Sequence, residues 1–134
     1  MSEWRYVKSL PTDFNVNEVE SRLGFKFCDS FIAFVKNYNG GRPPIGVYDT
    51  DITKERTIKS FLSLNSSDEE NIVKMNTYLE DASKDIIAFA IDNFGNYICF
   101  EKDTSKIVFF NSETENNEFI ADDFDIFLKT ITVH

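Results

Sequence analysis

The sequence predicts an α+β domain with a mostly antiparallel sheet flanked by helices. Three observations carry that prediction. Residues 85–111 read as three consecutive apolar strands, IIAFAI, NYICFE and KIVFF, joined by the tight polar turns DNFG and KDTS. The strands are grouped in sequence rather than alternating with helices, which argues against a parallel α/β sheet. The chain of 134 residues has the length of one domain, and its 14 Phe need a core large enough to bury most of them. Residues 1–134 are therefore read as a single domain.

The elements follow in order. Asn15 is placed to cap a first helix, VNEVESRL, with Glu18 at the position where a capping box wants an acid. Val16, Val19 and Leu23 share one face, and Gly24 stops the helix. A second helix starts near Asp29, with Phe31, Ile32, Phe34 and Val35 on its apolar face and Tyr38 one turn beyond Phe34. Asn39-Gly40-Gly41 ends it, because these residues accept left-handed backbone, and Arg42-Pro43-Pro44 stiffens the exit. Residues 45–48 and 57–64 are β-branched or aromatic and predict two strands around a polar loop.

Ser66 or Ser67 is expected to cap a third helix, with Asp68, Glu69 and Glu70 in its first turn and Ile72, Met75, Tyr78 and Leu79 as its stripe. The three strands of 85–111 follow, with Gly95 supplying the freedom the first turn requires. Strict alternation would put Ile87, Phe89 and Ile91 on one face and Ile86, Ala88 and Ala90 on the other. After the acidic loop SETENNE, Phe119-Ile120-Ala121 adds a short strand or a turn. Asp122 or Asp123 then caps a last helix burying Phe124, Phe127, Leu128 and Ile131. The order is α-α-β-β-α-β-β-β-α.

Charge and motifs narrow the function. Residues 1–63 hold nine Lys or Arg and eight Asp or Glu, and residues 64–134 hold five and fifteen, so +1 and −10 make the net −9. A field of that sign repels nucleic-acid and membrane phosphate and favours encounter with basic proteins. Direct nucleic-acid binding and membrane association are not expected. The first residues carry no apolar signal segment, and Cys28 and Cys99 sit in apolar stretches without metal spacing, so the protein is read as cytoplasmic with two free thiols.

No catalytic constellation is found. His134, the single histidine, is the last residue, and nucleophilic catalysis by Cys28, Cys99 or a Ser wants a neighbouring base. Asp49-Thr50-Asp51 begins like a calcium loop but lacks its glycine and closing glutamate, and reads as a solvated turn. Asn39-Gly40-Gly41-Arg42 lacks the phosphate-loop spacing. Asp92-Asn93-Phe94-Gly95-Asn96 reads mainly as a hairpin turn. A non-enzymatic protein without cofactor or metal is expected.

Trp4 ahead of two helices, DSFIAFVKNYNGG, IIAFAIDNFGNYICFEKDTSKIVFF and the final DDFDIFL follow one another in an arrangement that resembles the SUKH superfamily, also called the Smi/Knr family. The resemblance runs from about Trp4 to Ile131. Its specific pieces are Asn39-Gly40-Gly41 after the second helix, Phe89-Ala90 before the turn, and Phe124 and Phe127 at the end. One departure is Phe27-Cys28, where the family usually shows Leu-Pro.

The resemblance implies a helix-flanked sheet and, for the bacterial branch, an immunity protein (antitoxin) that neutralises a secreted polymorphic toxin, often a nuclease. It implies alternatively a scaffold or regulatory module of the Smi/Knr type without a toxin partner. Trp4, Asn39, Gly40, Gly41, Gly95, Phe124 and Phe127 match the family motifs and are read as structural. For the partner, an acidic face occluding a basic substrate-binding surface is expected. Its candidates are Asp68, Glu69, Glu70, Glu113, Glu115 and Glu118, which lie in loop or helix-start segments of the acidic half.

Overall fold

The computed structural model describes residues 3–132. Its elements are α1 (Val16–Leu23), α2 (Asp29–Tyr38), β1 (Val47–Tyr48), β2 (Arg56–Thr57), β3 (Ser60–Phe61), α3 (Ile72–Glu80), β4 (Ile86–Ile91), β5 (Tyr97–Glu101), β6 (Ile107–Phe110), β7 (Asn117–Ala121) and α4 (Phe124–Thr132). The fold is α+β, as the sequence predicts. A five-stranded antiparallel sheet runs β3-β4-β5-β6-β7, and β1 and β2 form a separate small hairpin.

The expected order holds, with the second predicted strand divided in two and the short segment near Phe119 forming a full edge strand. The division has a visible cause in the backbone hydrogen bonds. The N–H of Ile58 donates to Gly46 O at 2.8 Å, whereas the next N–H, from Lys59, donates to Ile91 O at 2.8 Å. Within one residue the chain leaves the small hairpin and joins the main sheet.

Aromatic rings make the core. Phe89, fully buried in β4, lies 4.6 Å from Phe100 between ring centroids, 5.9 Å from Phe31, 5.6 Å from Phe124 and 5.7 Å from Phe127. Helices α2 and α4 thus lay their Phe on the sheet face that carries Phe89 and Phe100, in the tilted and edge-on geometries that aromatic quadrupoles favour. The alternation expected along β4 is broken. A bulge between Ala88 and Ala90 shifts the register, so Ile87 pairs with Phe100 while Ile91 pairs with Tyr97. Tyr97 and Phe100 are three residues apart on β5 and face opposite ways, which puts Ile87 and Ile91 on opposite faces.

The edge of β4 left free by short β3 is closed by α3. The Asn76 side chain accepts from Ala88 N–H at 2.8 Å and donates to Ala88 C=O at 2.9 Å, standing in for a strand partner. The third helix also starts later than expected, at Ile72. Its cap is Asn71, whose Oδ1 accepts from Lys74 N–H at 2.8 Å, rather than Ser66 or Ser67. Residues 65–71 are instead a loop folded back on the end of β3, with Ser63 N–H on Glu70 O and Ile72 N–H on Ser63 O. The other caps fall near their predicted places. Asn15 accepts from Asn17 N–H, Asp123 accepts from Ile126 N–H, and Gly24 is left-handed with φ 66°.

The start of α2 explains the departure from Leu-Pro. Cys28 flanks the helix without a side-chain cap, and Asp29 is its first helical residue. Cys28 has φ −69°, close to the value a proline ring imposes, so the backbone keeps the shape without the ring.

Candidate functional site

Several residues matched to family motifs are tied into the fold by hydrogen bonds, close approach or ring packing. Asn39 is buried and ties three segments together. Its Nδ2 donates to Lys8 O at 2.8 Å and Ser63 Oγ at 3.0 Å, and its Oδ1 accepts from Leu64 N–H at 2.8 Å. It is not left-handed, with φ −49° and ψ 127°; Gly40 alone of the three takes that conformation, at φ 69°. Gly41 is required for space, since a Cβ there would lie 2.9 Å from Tyr38 O and 3.2 Å from the Trp4 ring. Trp4 stacks on Tyr38 at 4.8 Å and meets Phe34 edge-on at 5.2 Å.

The six acids chosen from sequence divide into two kinds. Asp68 is committed to the fold: it accepts from the Ser63 hydroxyl at 2.5 Å, extending the Asn39 network. Glu118 is committed too. Pairing with Phe109 turns it under Arg56, whose guanidinium reaches its two oxygens at 3.2 and 3.0 Å and lies 3.7 Å above the Phe109 ring. The Thr50 hydroxyl donates to the same carboxylate at 2.6 Å. Burial pushes the Glu118 carboxyl up, but the hydrogen bonds from Arg56 and Thr50, with the Arg56 charge, outweigh it and hold it below its ordinary value. Glu70 pairs with Lys59 at 3.3 Å on a half-exposed surface. Glu69, Glu113 and Glu115 are exposed, and their carboxylates make no ion pair or hydrogen bond among the described residues.

Glu70 reaches the end of the sheet that carries the β4–β5 turn, beside Asn93 and Gly95, and the β6–β7 turn with Glu113 and Glu115 lies at that same end. The loop 65–71 follows β3 at one edge, and Glu113 and Glu115 lie between β6 and β7 at the other. Between them projects the β4–β5 turn, 92–96, and at its tip Phe94 is 81% exposed. The turn is braced from both sides. Asp92 accepts from Phe94 N–H and Asn96 N–H at 2.8 Å each, and the Ser112 hydroxyl donates to Gly95 O at 2.5 Å. Gly95 takes φ 83°, open to glycine without strain. Sequence reasoning missed Phe94 by treating the segment as a turn alone. The signal was an aromatic at a turn tip, where small polar residues are usual.

Other chemistry-bearing groups are quiet. Cys99 is fully buried, and burial raises its thiol well above its ordinary value, which removes the reactive thiolate. The Tyr48 hydroxyl is buried with no hydrogen-bond partner among the described residues, and burial, with the nearby Asp92 charge second, raises its pKa. Around Asp49 and Asp51, the Thr50 hydroxyl accepts from Ile52 and Thr53 N–H while Asp51 accepts from Phe119 N–H, so the side chains hold a turn. Among the described residues no group of three or more His, Cys, Asp or Glu is placed to hold a metal ion, and no helix is long and apolar enough to cross a membrane. His134 lies outside the described residues.

Compared with known proteins, residues 10–130 match the family described as SMI1 / KNR4 family (SUKH-1). No curated protein matches the chain.

Proposed function

Because the chain belongs to the SMI1 / KNR4 family (SUKH-1), we propose that it is a non-enzymatic immunity protein, acting in the cytoplasm, that binds a cognate toxin and covers its basic substrate-binding surface. A nuclease is the class of toxin that fits, since a phosphate-binding cleft is basic. The observation that carries this reading is the concentration of charge. Residues 64–134 hold fifteen Asp or Glu against five Lys or Arg, and Glu69, Glu113 and Glu115 have carboxylates unspent by the fold. Such a surface repels a nucleic-acid substrate while attracting the face that binds it.

The test is association kinetics with the protein encoded beside this one, for the wild type and for Glu69→Lys, Glu113→Lys and Glu115→Lys combined. The triple change is expected to slow association about 10-fold or more at low ionic strength, with the difference shrinking as salt rises. Equal rates and equal salt dependence for the two proteins would remove the electrostatic part of the proposal. Absence of binding by the wild type would favour a scaffold whose partner lies elsewhere.

A further inference from the structure

We infer that Phe94 is the anchor of the partner-binding surface, and that it inserts into an apolar pocket within a basic protein face. This rests on the immunity reading above and assigns that reading a place on the molecule. Among the large hydrophobic side chains of the described residues Phe94 is the most exposed, at 81%, ahead of Ile52 at 73% and Tyr6 at 68%. A solvated ring on a loose loop would say little, but this one is held. Besides the bonds to Phe94 and Asn96 N–H, Asp92 accepts from the Asn96 amide at 3.0 Å, and Asn96 in turn accepts from Ser112 N–H at 3.0 Å. The β4–β5 and β6–β7 turns are thereby locked together. An aromatic side chain on a braced turn loses little freedom on docking, which is the condition under which buried rings dominate an interface.

Its surroundings specify the occupant. A groove beside the turn is lined by Lys59, Glu70, Met75, Ile91, Asn93 and Tyr97, giving a partly apolar floor with a polar rim. Glu70, paired with Lys59, lies across the groove on one side of the turn, and the unpaired Glu113 and Glu115 lie in the β6–β7 turn on the other. Strands β3 and β6 lie on opposite sides of the β4–β5 hairpin in the sheet order, so the two acidic segments flank the turn. An apolar anchor between two acidic flanks is complementary to a hydrophobic pocket between cationic ones. A second copy of this chain fits badly, because a two-fold contact through Phe94 would bring acidic flank against acidic flank.

The experiment measures dissociation constants of the protein encoded beside this one for the wild type, Phe94→Ser and Tyr6→Ser, with melting temperatures taken for each. Tyr6 is the control: an exposed ring outside the β4–β5 turn, on the N-terminal segment that pairs at Arg42. Phe94→Ser is expected to melt like the wild type and to bind at least about 30-fold more weakly, mainly through faster dissociation. Tyr6→Ser is expected to bind as the wild type does. Wild-type affinity in Phe94→Ser overturns the inference while leaving the immunity reading intact. Failure of the wild type to bind overturns both. A wild-type dimer in sedimentation that Phe94→Ser abolishes overturns the assignment of the occupant and makes it a second copy.

Discussion

Replacing Asn39 by Ala should cost roughly 3–4 kcal/mol of folding stability. Three hydrogen bonds disappear with the amide, to Lys8 O, from Leu64 N–H and to Ser63 Oγ. Each contributes about 1 kcal/mol net, and the Leu64 N–H, on a residue only 3% exposed, is left without a partner at a further cost of about 1 kcal/mol or more. For a chain of 134 residues the unfolding entropy is about 280 cal/mol/K, so the loss lowers the melting temperature by roughly 10–15 °C. Urea and thermal denaturation followed by circular dichroism read it directly. Asn39→Asp separates the causes. It keeps an acceptor for Leu64 N–H but sets a carboxylate oxygen against Lys8 O, and against a Ser63 hydroxyl already donating to Asp68. That variant should be destabilised at least as much as Asn39→Ala. A loss below about 1 kcal/mol for either variant would refute the clasp and return Asn39 to the role of a simple helix stop.

Three further expectations come from buried or strained positions. Tyr48→Phe removes a buried hydroxyl that has no partner among the described residues, and should be neutral or stabilising by up to about 1 kcal/mol; a clear loss in urea midpoint would contradict this. Glu118→Gln should be destabilising by roughly 1–3 kcal/mol at neutral pH, since it discharges one partner of a mostly buried ion pair. Because the folded state holds Glu118 below its ordinary value of 4.5, its contribution is complete above that pH and is lost as pH falls through the lower folded value. The gap between wild type and variant should therefore narrow from pH 5 downward, and a gap independent of pH would exclude the charge as its source. Cys28→Pro, at φ −69°, should add about 0.4–1 kcal/mol by restricting the unfolded chain, and destabilisation would mean that the site needs its N–H.

What could be read from the sequence follows the range of each interaction. The β4, β5 and β6 strands were legible because their signals are local: short apolar runs and tight polar turns. Helix ends at Asn15, Gly24 and Asp123 were legible for the same reason. The division of 57–64 was not, because it depends on which distant carbonyl each N–H meets, Gly46 for Ile58 and Ile91 for Lys59. The late start of α3 was hidden in the same way, since Asp68 is drawn to Ser63 rather than to a helix dipole. Glu118 shows the limit for surface charge. Its place in an acidic stretch gave no sign that Arg56, 62 residues earlier, would occupy it. Phe94 was visible in the sequence, but only the pairing of two turns through Ser112 distinguishes an anchor from an ordinary loop residue.

Neutralisation of a toxin is read by co-expression. The protein encoded beside this one is induced in a sensitive host with and without this chain, and growth is scored together with capture of one protein by the other. Growth arrest is expected from the neighbour alone, with recovery when this chain is present and a salt-sensitive complex between the two. Growth arrest that persists in the presence of the folded chain, with no complex recovered, would contradict it.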